Sequence, residues 1–347
     1  VSSSMTWETI QSWDLGLDFA LLNNRLTGSV GYFVRKTLDM VGPAPELSSL
    51  LGASVPQVNN CDMKSYGFEI ELGWRDQIGD FKYGVSFNMS DAQQKITRYP
   101  NPSNSLNTYY TGMMLNEIWG YTTLGIAQTD EEMQAHLAKA DQSALGSGWA
   151  AGDIMYADLN GDGRVNTGSY TTDDPGDLRV IGNSTPRYNY GLTLDGSWKG
   201  FDFRIFFQGT GKRDLWLPGT YFWGTNGGMW QSNVFEEHLD YWTPENTDAY
   251  YARPSWTGRN HQTQTRYLQN GAYLRLKNIT LGYTLPKAWT QKAAMESVRV
   301  YVSADNLLTF SHLSSIFDPE NIGSLYSDAG KTYPLQRVIS VGLNINF

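Results

Sequence analysis

The chain has 347 residues, 18% of them charged, and a net charge of −9, a balance that excludes a nucleic-acid backbone as partner. Its one cysteine, Cys61, excludes an intrachain disulfide framework. No apolar run of about 18 residues occurs, so no membrane-crossing helix is expected, and the opening VSSSMTWETI lacks the basic start and apolar core of a signal peptide. Contact with a membrane would therefore have to be made by strands.

In chain order the dominant signal is a period of two. In SWDLGLDFALL, Trp13, Leu15, Leu17, Phe19 and Leu21 alternate with Asp14, Gly16, Asp18 and Ala20. After a turn at Asn23-Asn24, Leu26, Val30, Tyr32 and Val34 alternate with Thr27, Ser29, Gly31 and Arg35. Phe68, Ile70, Leu72 and Trp74 then alternate with Gly67, Glu69, Glu71 and Gly73, and Phe81 to Met89 with Lys82, Gly84, Ser86, Asn88 and Ser90. Further strands are expected at about 187–198, 201–212, 272–285, 297–310 and 335–347, the last with Ile339, Val341, Leu343, Ile345 and Phe347 on one face. Two short helices are expected. One lies in TDEEMQAHLAKAD (129–141), capped by Thr129 or Asp130 with Glu131 and Glu132 in its first turn. The other lies in PKAWTQKAAMES and is opened by Pro286.

A soluble sandwich also alternates, but three features favour a membrane barrel. The strands run about 10–16 residues, against the usual ~5–6. Their polar face carries glycine, serine, asparagine and scattered charges, with Asp14, Asp18, Arg35, Glu69, Glu71, Lys82 and Arg204 expected towards a lumen. Aromatics mark the strand ends at Trp7, Trp13, Trp74, Tyr83, Trp198, Tyr283 and Trp289, where an interfacial girdle belongs. The short connections (23–25, 76–80, 199–200 and 286–296) then read as periplasmic turns. The long ones (40–64, 97–186, 213–271 and 311–334) read as extracellular loops, with IWGYTTLGI (118–126) inside a loop and not spanning. The fold class is all-β, a transmembrane antiparallel β-barrel segment of nine strands. Since bacterial single-chain barrels have even strand numbers, the chain reads as the C-terminal part of a larger barrel, entered through an extracellular loop at Val1.

The loops carry the chemistry. In YADLNGDGRVN, Asp158, Asn160, Asp162 and Asn166 stand at oxygen-ligand positions of an EF-hand loop, Arg164 would lend its carbonyl, and Gly163 marks the sharp turn. The twelfth position falls on Ser169, which offers no bidentate carboxylate. A cluster of Asn-Gly and Asp-Gly turns needing no metal has the same sequence signature. The loops are also rich in aromatics: Tyr109, Tyr110, Trp119, Tyr121, Trp149 and Tyr156 in one, and Trp216, Tyr221, Phe222, Trp223, Trp230, Tyr241, Trp242, Tyr250, Tyr251 and Trp256 in the next. More than half are expected to pack the loops together, leaving others for a substrate or partner. No catalytic pattern stands out. His136, His238, His261 and His312 lack metal-ligand spacing, EEH at 236–238 is no HExxH, and no G-x-S-x-G elbow exists, so an enzyme is not expected.

Taken together, GDIMYADLNGDGRVN, DLRVIGNSTPRYNYGL (177–192), YLRLKNITLGYTLP (273–286), VYVSADNLLTF (300–310), FDPE (317–320) and the terminal Phe347 resemble the C-terminal half of SusC/RagA-type TonB-dependent transporters. That resemblance implies a location in the outer membrane of a Bacteroidetes-like bacterium and a barrel of about 22 strands. It implies import of glycan or peptide oligomers, with the rings mildly favouring glycans, and a SusD-type surface lipoprotein as partner. It implies Asp177, before LRVIGN, as the ligand closing the calcium loop across the insert TGSYTTDDPG, with Asp173 or Asp174 as substitutes. The plug and the TonB-contacting segment are not found in the sequence, so coupling to the TonB complex would need the remaining portion. Two other functions fit the same pattern: a passive porin-like channel, and a secreted, calcium-stapled, carbohydrate-binding β-sandwich.

Overall fold

The computed structural model describes residues 5–44, 55–224, 234–255, 257–322, 333 and 335–347. Val1, Trp230 and Trp256 lie outside the described residues.

Nine strands form one antiparallel sheet: β1 (Thr9–Leu21), β2 (Leu26–Gly42), β3 (Val58–Ile78), β4 (Phe81–Arg98), β5 (Arg187–Trp198), β6 (Phe201–Lys212), β7 (Tyr273–Thr284), β8 (Ser297–Ser311) and β9 (Val338–Asn346). Each pairs with its neighbour in sequence. The pairing keeps the period-two pattern in phase across strands. Leu17, Val30, Ile70, Met89 and Tyr190 share one rung, and the adjacent rung holds Asp18, Ser29, Glu71, Asn88 and Gly191 on the opposite face. One face is therefore a continuous apolar belt, open to its surroundings at Leu17 (63% exposed) and Val341 (77%). A belt of this kind is stable against lipid and costly against water. The other face carries Asp14, Asp18, Arg35, Glu69, Glu71, Lys82 and Arg204, all on the polar side by register, as expected.

The strand lengths exclude the soluble sandwich. They run from 9 to 21 residues in a single sheet, with no second sheet packed on the apolar face among the described residues. At one end the connections are tight. Lys199 and Gly200 both have positive φ (+45° and +89°), the backbone that a two-residue primed turn requires. Asn23 and Asn24 (+56° and +64°) form a similar left-handed turn. The fourth short connection holds the expected helical turn, Lys287–Thr290, entered from Pro286. Aromatics gather at this end, where Trp74 donates to the Tyr83 hydroxyl at 3.4 Å and Phe201 lies 4.5 Å from Tyr283 between ring centroids. Trp13 and Tyr32 (6.4 Å) pack together on the lipid side of β1 and β2, within the belt. The phenyl of Phe203 lies across Gly196, where a Cβ would come within 2.6 Å of it, so glycine lets the ring cover backbone on the lipid side.

β2, β3 and β4 continue past the expected limits, to Gly42, from Val58 and to Arg98. Above the belt the alternation fades, but backbone pairing persists through bulges at Thr37/Met40 and Asp62/Met63. Arg98 then joins the three strands, bonding Asp39 at 2.8 Å and Asp62 at 2.7 Å. β1 and β9 each pair on one side only among the described residues. Such edges are not tolerated in hydrocarbon, so further strands must complete the wall. Placing arginine at Ile70, in the middle of the belt, is expected to destabilise the barrel by about 2–4 kcal/mol. Glu69→Arg, one residue away on the polar face, should stay within about 0.5 kcal/mol. Urea unfolding in detergent or bilayer measures both.

Candidate functional site at the barrel mouth

Three of the long connections, at the end opposite the tight turns, contribute to one core: those after β4, after β6 and after β8. The 99–186 connection contributes two short pairs, Glu117–Gly120 with Arg179–Asn183 and Thr123–Ile126 with Ile154–Tyr156. Thus IWGYTTLGI lies within the loop, as expected. The connection also contributes α1 (Asp130–Leu137). Thr129 caps α1, its hydroxyl accepting from Glu132 N at 3.1 Å, and Met133 is its buried anchor. The next connection adds Asp214–Leu215 paired with Gln269–Asn270.

A single aromatic core joins these pieces. Tyr121, Trp149, Tyr156, Trp216, Phe222, Trp223, Trp242 and Tyr251 are buried, while Tyr109 and Tyr250 stay exposed. Tyr156 packs 5.5 Å from Tyr121 and 6.2 Å from Trp149, and Trp223 packs 4.8 Å from Tyr267. Most rings thus serve packing, because loops this long must exclude water from a core of their own. His261 lies 4.2 Å from Trp223, and burial holds its imidazole down at about 4, so it is neutral at ordinary pH. Burial also pushes the Tyr121 phenol up to about 12, with the charge of nearby Asp177 adding to the shift.

Two polar hubs pin the assembly. Asp153, fully buried in the first loop, accepts from Arg253 at 2.8 and 2.7 Å and from Asn260 at 2.9 Å, with Arg259 at 3.4 Å, all three from the second loop. Arg275, buried on β7, donates to Glu320 at 2.7 Å, Asp318 at 2.8 Å and Thr309 at 2.9 Å, and Lys277 reaches Glu320 at 2.6 Å. The FDPE segment after β8 is thereby tied to the barrel wall. Sequence reading missed the Asp153 hub, since its partners lie about 100 residues away and carry no spacing signal. A cavity of about 230 Å³ between Trp223, Tyr241, Tyr251, Arg253 and His261 opens in the same aromatic core.

The 158–177 loop closes on itself. Asp158 accepts from Gly161 N at 2.7 Å and Gly163 N at 2.8 Å, Asn160 from Asp162 N at 3.0 Å, and Asp162 from Arg164 N at 2.8 Å. Gly161 and Gly163 have φ of +77° and +81°. Asp177, fully buried, reaches across to Leu159 N at 2.7 Å and Asn166 N at 2.8 Å. Asp173 and Asp174 turn elsewhere, to Asn104 and Ser169. Of the three expected closing residues, then, Asp177 is the one brought to the loop. Among the described residues no three His, Cys, Asp or Glu side chains converge tightly enough to hold a metal. In this arrangement the oxygens are used by backbone N–H groups.

The arrangement defines a membrane-spanning wall with a structured mouth. A family profile described as TonB dependent receptor-like, beta-barrel, matches residues 3–173. TonB-dependent receptor P3 of Formosa agariphila is 30% identical over 373 residues, covering 100% of this chain and 35% of that protein. TonB-dependent receptor SusC of Bacteroides thetaiotaomicron is 25% identical, covering 100% of this chain and 32% of that protein. A structure of the RagAB peptide transporter superposes with a TM-score of 0.72 at 25% identity, covering 98% of this chain and 36% of that one. The chain is thus similar over its whole length to TonB-dependent receptor β-barrels of the SusC/RagA type, proteins of the outer membrane, and spans about a third of the length of the relatives it matches. The matched proteins are named as receptors and transporters, none as an enzyme.

Asp153→Ala should loosen the loop assembly by about 3 kcal/mol, the low end for breaking a buried pair because Arg253 still reaches water. Limited proteolysis should then cut within 140–160 and 250–262 while the barrel stays folded; unchanged resistance would remove Asp153 from this role.

Proposed function

We propose that this chain forms part of the wall and mouth of an active outer-membrane importer of nutrient oligomers, glycan or peptide, working with a SusD-type surface lipoprotein. Energy would come from the TonB complex through a plug-bearing portion of the same transporter. The observation that carries this reading is the joint folding of two long extracellular connections into one aromatic-cored assembly above a polar-faced wall. A passive pore needs no such structured mouth, and a mouth of this kind offers a rim on which a lipoprotein lid can seat. Similarity to SusC and to the peptide-transporting RagAB supports import and leaves both substrate classes in play.

The test is affinity purification of the detergent-solubilised protein from native outer membranes, followed by mass spectrometry, with uptake measured in cells with and without TonB. Recovery of a plug-bearing polypeptide together with a surface lipoprotein, and loss of uptake without TonB, is the expected result. Uptake that persists without TonB would make the protein a passive channel.

We infer also that the 158–177 loop is a structural calcium site, with Asp158, Asn160, Asp162, Asn166, Asp177 and the Arg164 carbonyl as ligands. The donors are the hard oxygens calcium prefers, and Asp177 is a fully buried carboxylate bonded to two backbone N–H groups without an ion-pair partner among the described residues. A staple of this kind suits a loop without a bistable helix pair. Millimolar calcium should raise the melting temperature of the wild-type protein and leave Asp177→Asn unmoved. Equal melting with calcium and with chelator would leave the loop as hydrogen-bonded turns.

A further inference from the structure

On the lipid-facing side of the sheet, above the apolar belt, three lysines stand side by side. Lys36 on β2 is directly opposite Lys64 on β3, and Lys64 is directly opposite Lys95 on β4. No bulge intervenes, so all three point to the same face as Val34 and Tyr66 one rung below. Like charges directly opposite one another destabilise a sheet unless something of opposite sign lies between them. Among the described residues none of the three lysines has a carboxylate partner. The nearest acids on these strands are engaged: Asp91 with Arg187, and Asp39 and Asp62 with Arg98. The Lys64 ammonium lies 5.1 Å from the Tyr66 ring centroid, which holds it against the wall. Gln11, opposite Lys36, and Gln93, opposite Tyr66, add amide donors on the same face.

Height fixes what such a row can meet. Leu26 begins the belt beside the Asn23-Asn24 turn. At about 3.3 Å per residue and a tilt of about 40°, Lys36 stands roughly 25 Å above it, the thickness of the apolar band. The row therefore sits where the outer leaflet passes from acyl chains to head groups, on the side of the long extracellular loops. Adjacent strands are about 4.8 Å apart, so the three ammonium groups cover a strip about 10 Å wide, matched to a phosphate and its flanking sugars. From this geometry we propose that Lys36, Lys64 and Lys95 bind the phosphorylated head group of an outer-leaflet glycolipid, whose acyl chains lie along the Tyr32, Val34, Tyr66 and Phe68 surface beneath. The site lies outside the lumen and takes no part in the import path.

The test uses the complete barrel containing this chain, purified from outer membranes and titrated by native mass spectrometry. The probes are lipid A carrying one phosphate, the same lipid dephosphorylated, and inorganic phosphate. The wild type should retain the phosphorylated lipid, and affinity should fall about fivefold per lysine replaced in Lys64→Gln and in the triple Lys36→Gln, Lys64→Gln, Lys95→Gln variant. Lys82→Gln, on the lumen face, should bind as the wild type does. Should the triple variant not fold, Lys64→Gln alone decides. Undiminished binding by the variants, or equal retention of the dephosphorylated lipid, would overturn the proposal. Inorganic phosphate bound as tightly as the lipid would assign the row to a free anion and overturn the lipid assignment.

Discussion

Backbone hydrogen bonding in a medium without water is the constraint on which this structure depends. In hydrocarbon an unpaired N–H or C=O costs several kcal/mol, so every residue of the spanning segment must pair with a neighbouring strand. That demand makes one continuous sheet of nine strands, keeps each strand next to its sequence neighbour, and leaves the two edge strands in need of partners. It also fixes the side-chain pattern, because a paired strand presents alternate residues to opposite faces. The rung of Leu17, Val30, Ile70, Met89 and Tyr190 and the rung of Asp18, Ser29, Glu71, Asn88 and Gly191 are the two consequences, one turned to lipid and one to the lumen.

Outside the membrane the same chain obeys ordinary rules of burial. The connections at the mouth are too long to remain open coil, and they condense on an aromatic core whose cross-links are polar and few. Asp153 binds one loop to the other, and Arg275 binds the FDPE segment to the wall. Asp153 accepts at both carboxylate oxygens and Arg275 donates from all three guanidinium nitrogens, two of them to carboxylates, which lets charge be buried without large penalty. The design separates a wall set by lipid from a mouth set by packing.

Much of the fold was legible in the residues. Alternation in SWDLGLDFALL or VISVGLNINF survives any tertiary context, since a one-residue slip would turn Leu15 or Val341 into the lumen. The turn at Lys199-Gly200 and the cap at Thr129 are likewise local, each set by the backbone freedom or hydroxyl of one or two residues. The extension of β2, β3 and β4 beyond the belt was not legible, because above the bilayer pairing continues through bulges without the strict alternation that announces it.

At the candidate site the division is sharper. The sequence by itself determined that YADLNGDGRVN would form a tight oxygen-rich loop, since Asp158, Asn160 and Asp162 need only backbone N–H groups within a few residues. The family resemblance marked Asp177 ahead of Asp173 and Asp174, and the fold brings Asp177 to that loop; tertiary structure alone decided that Asp153 meets Arg253 and Asn260. It also decided that Lys36, Lys64 and Lys95 stand in one row. Local features follow from chemistry between near neighbours along the chain. Pairings across tens of residues follow from strand register and loop packing, which no short stretch of sequence encodes.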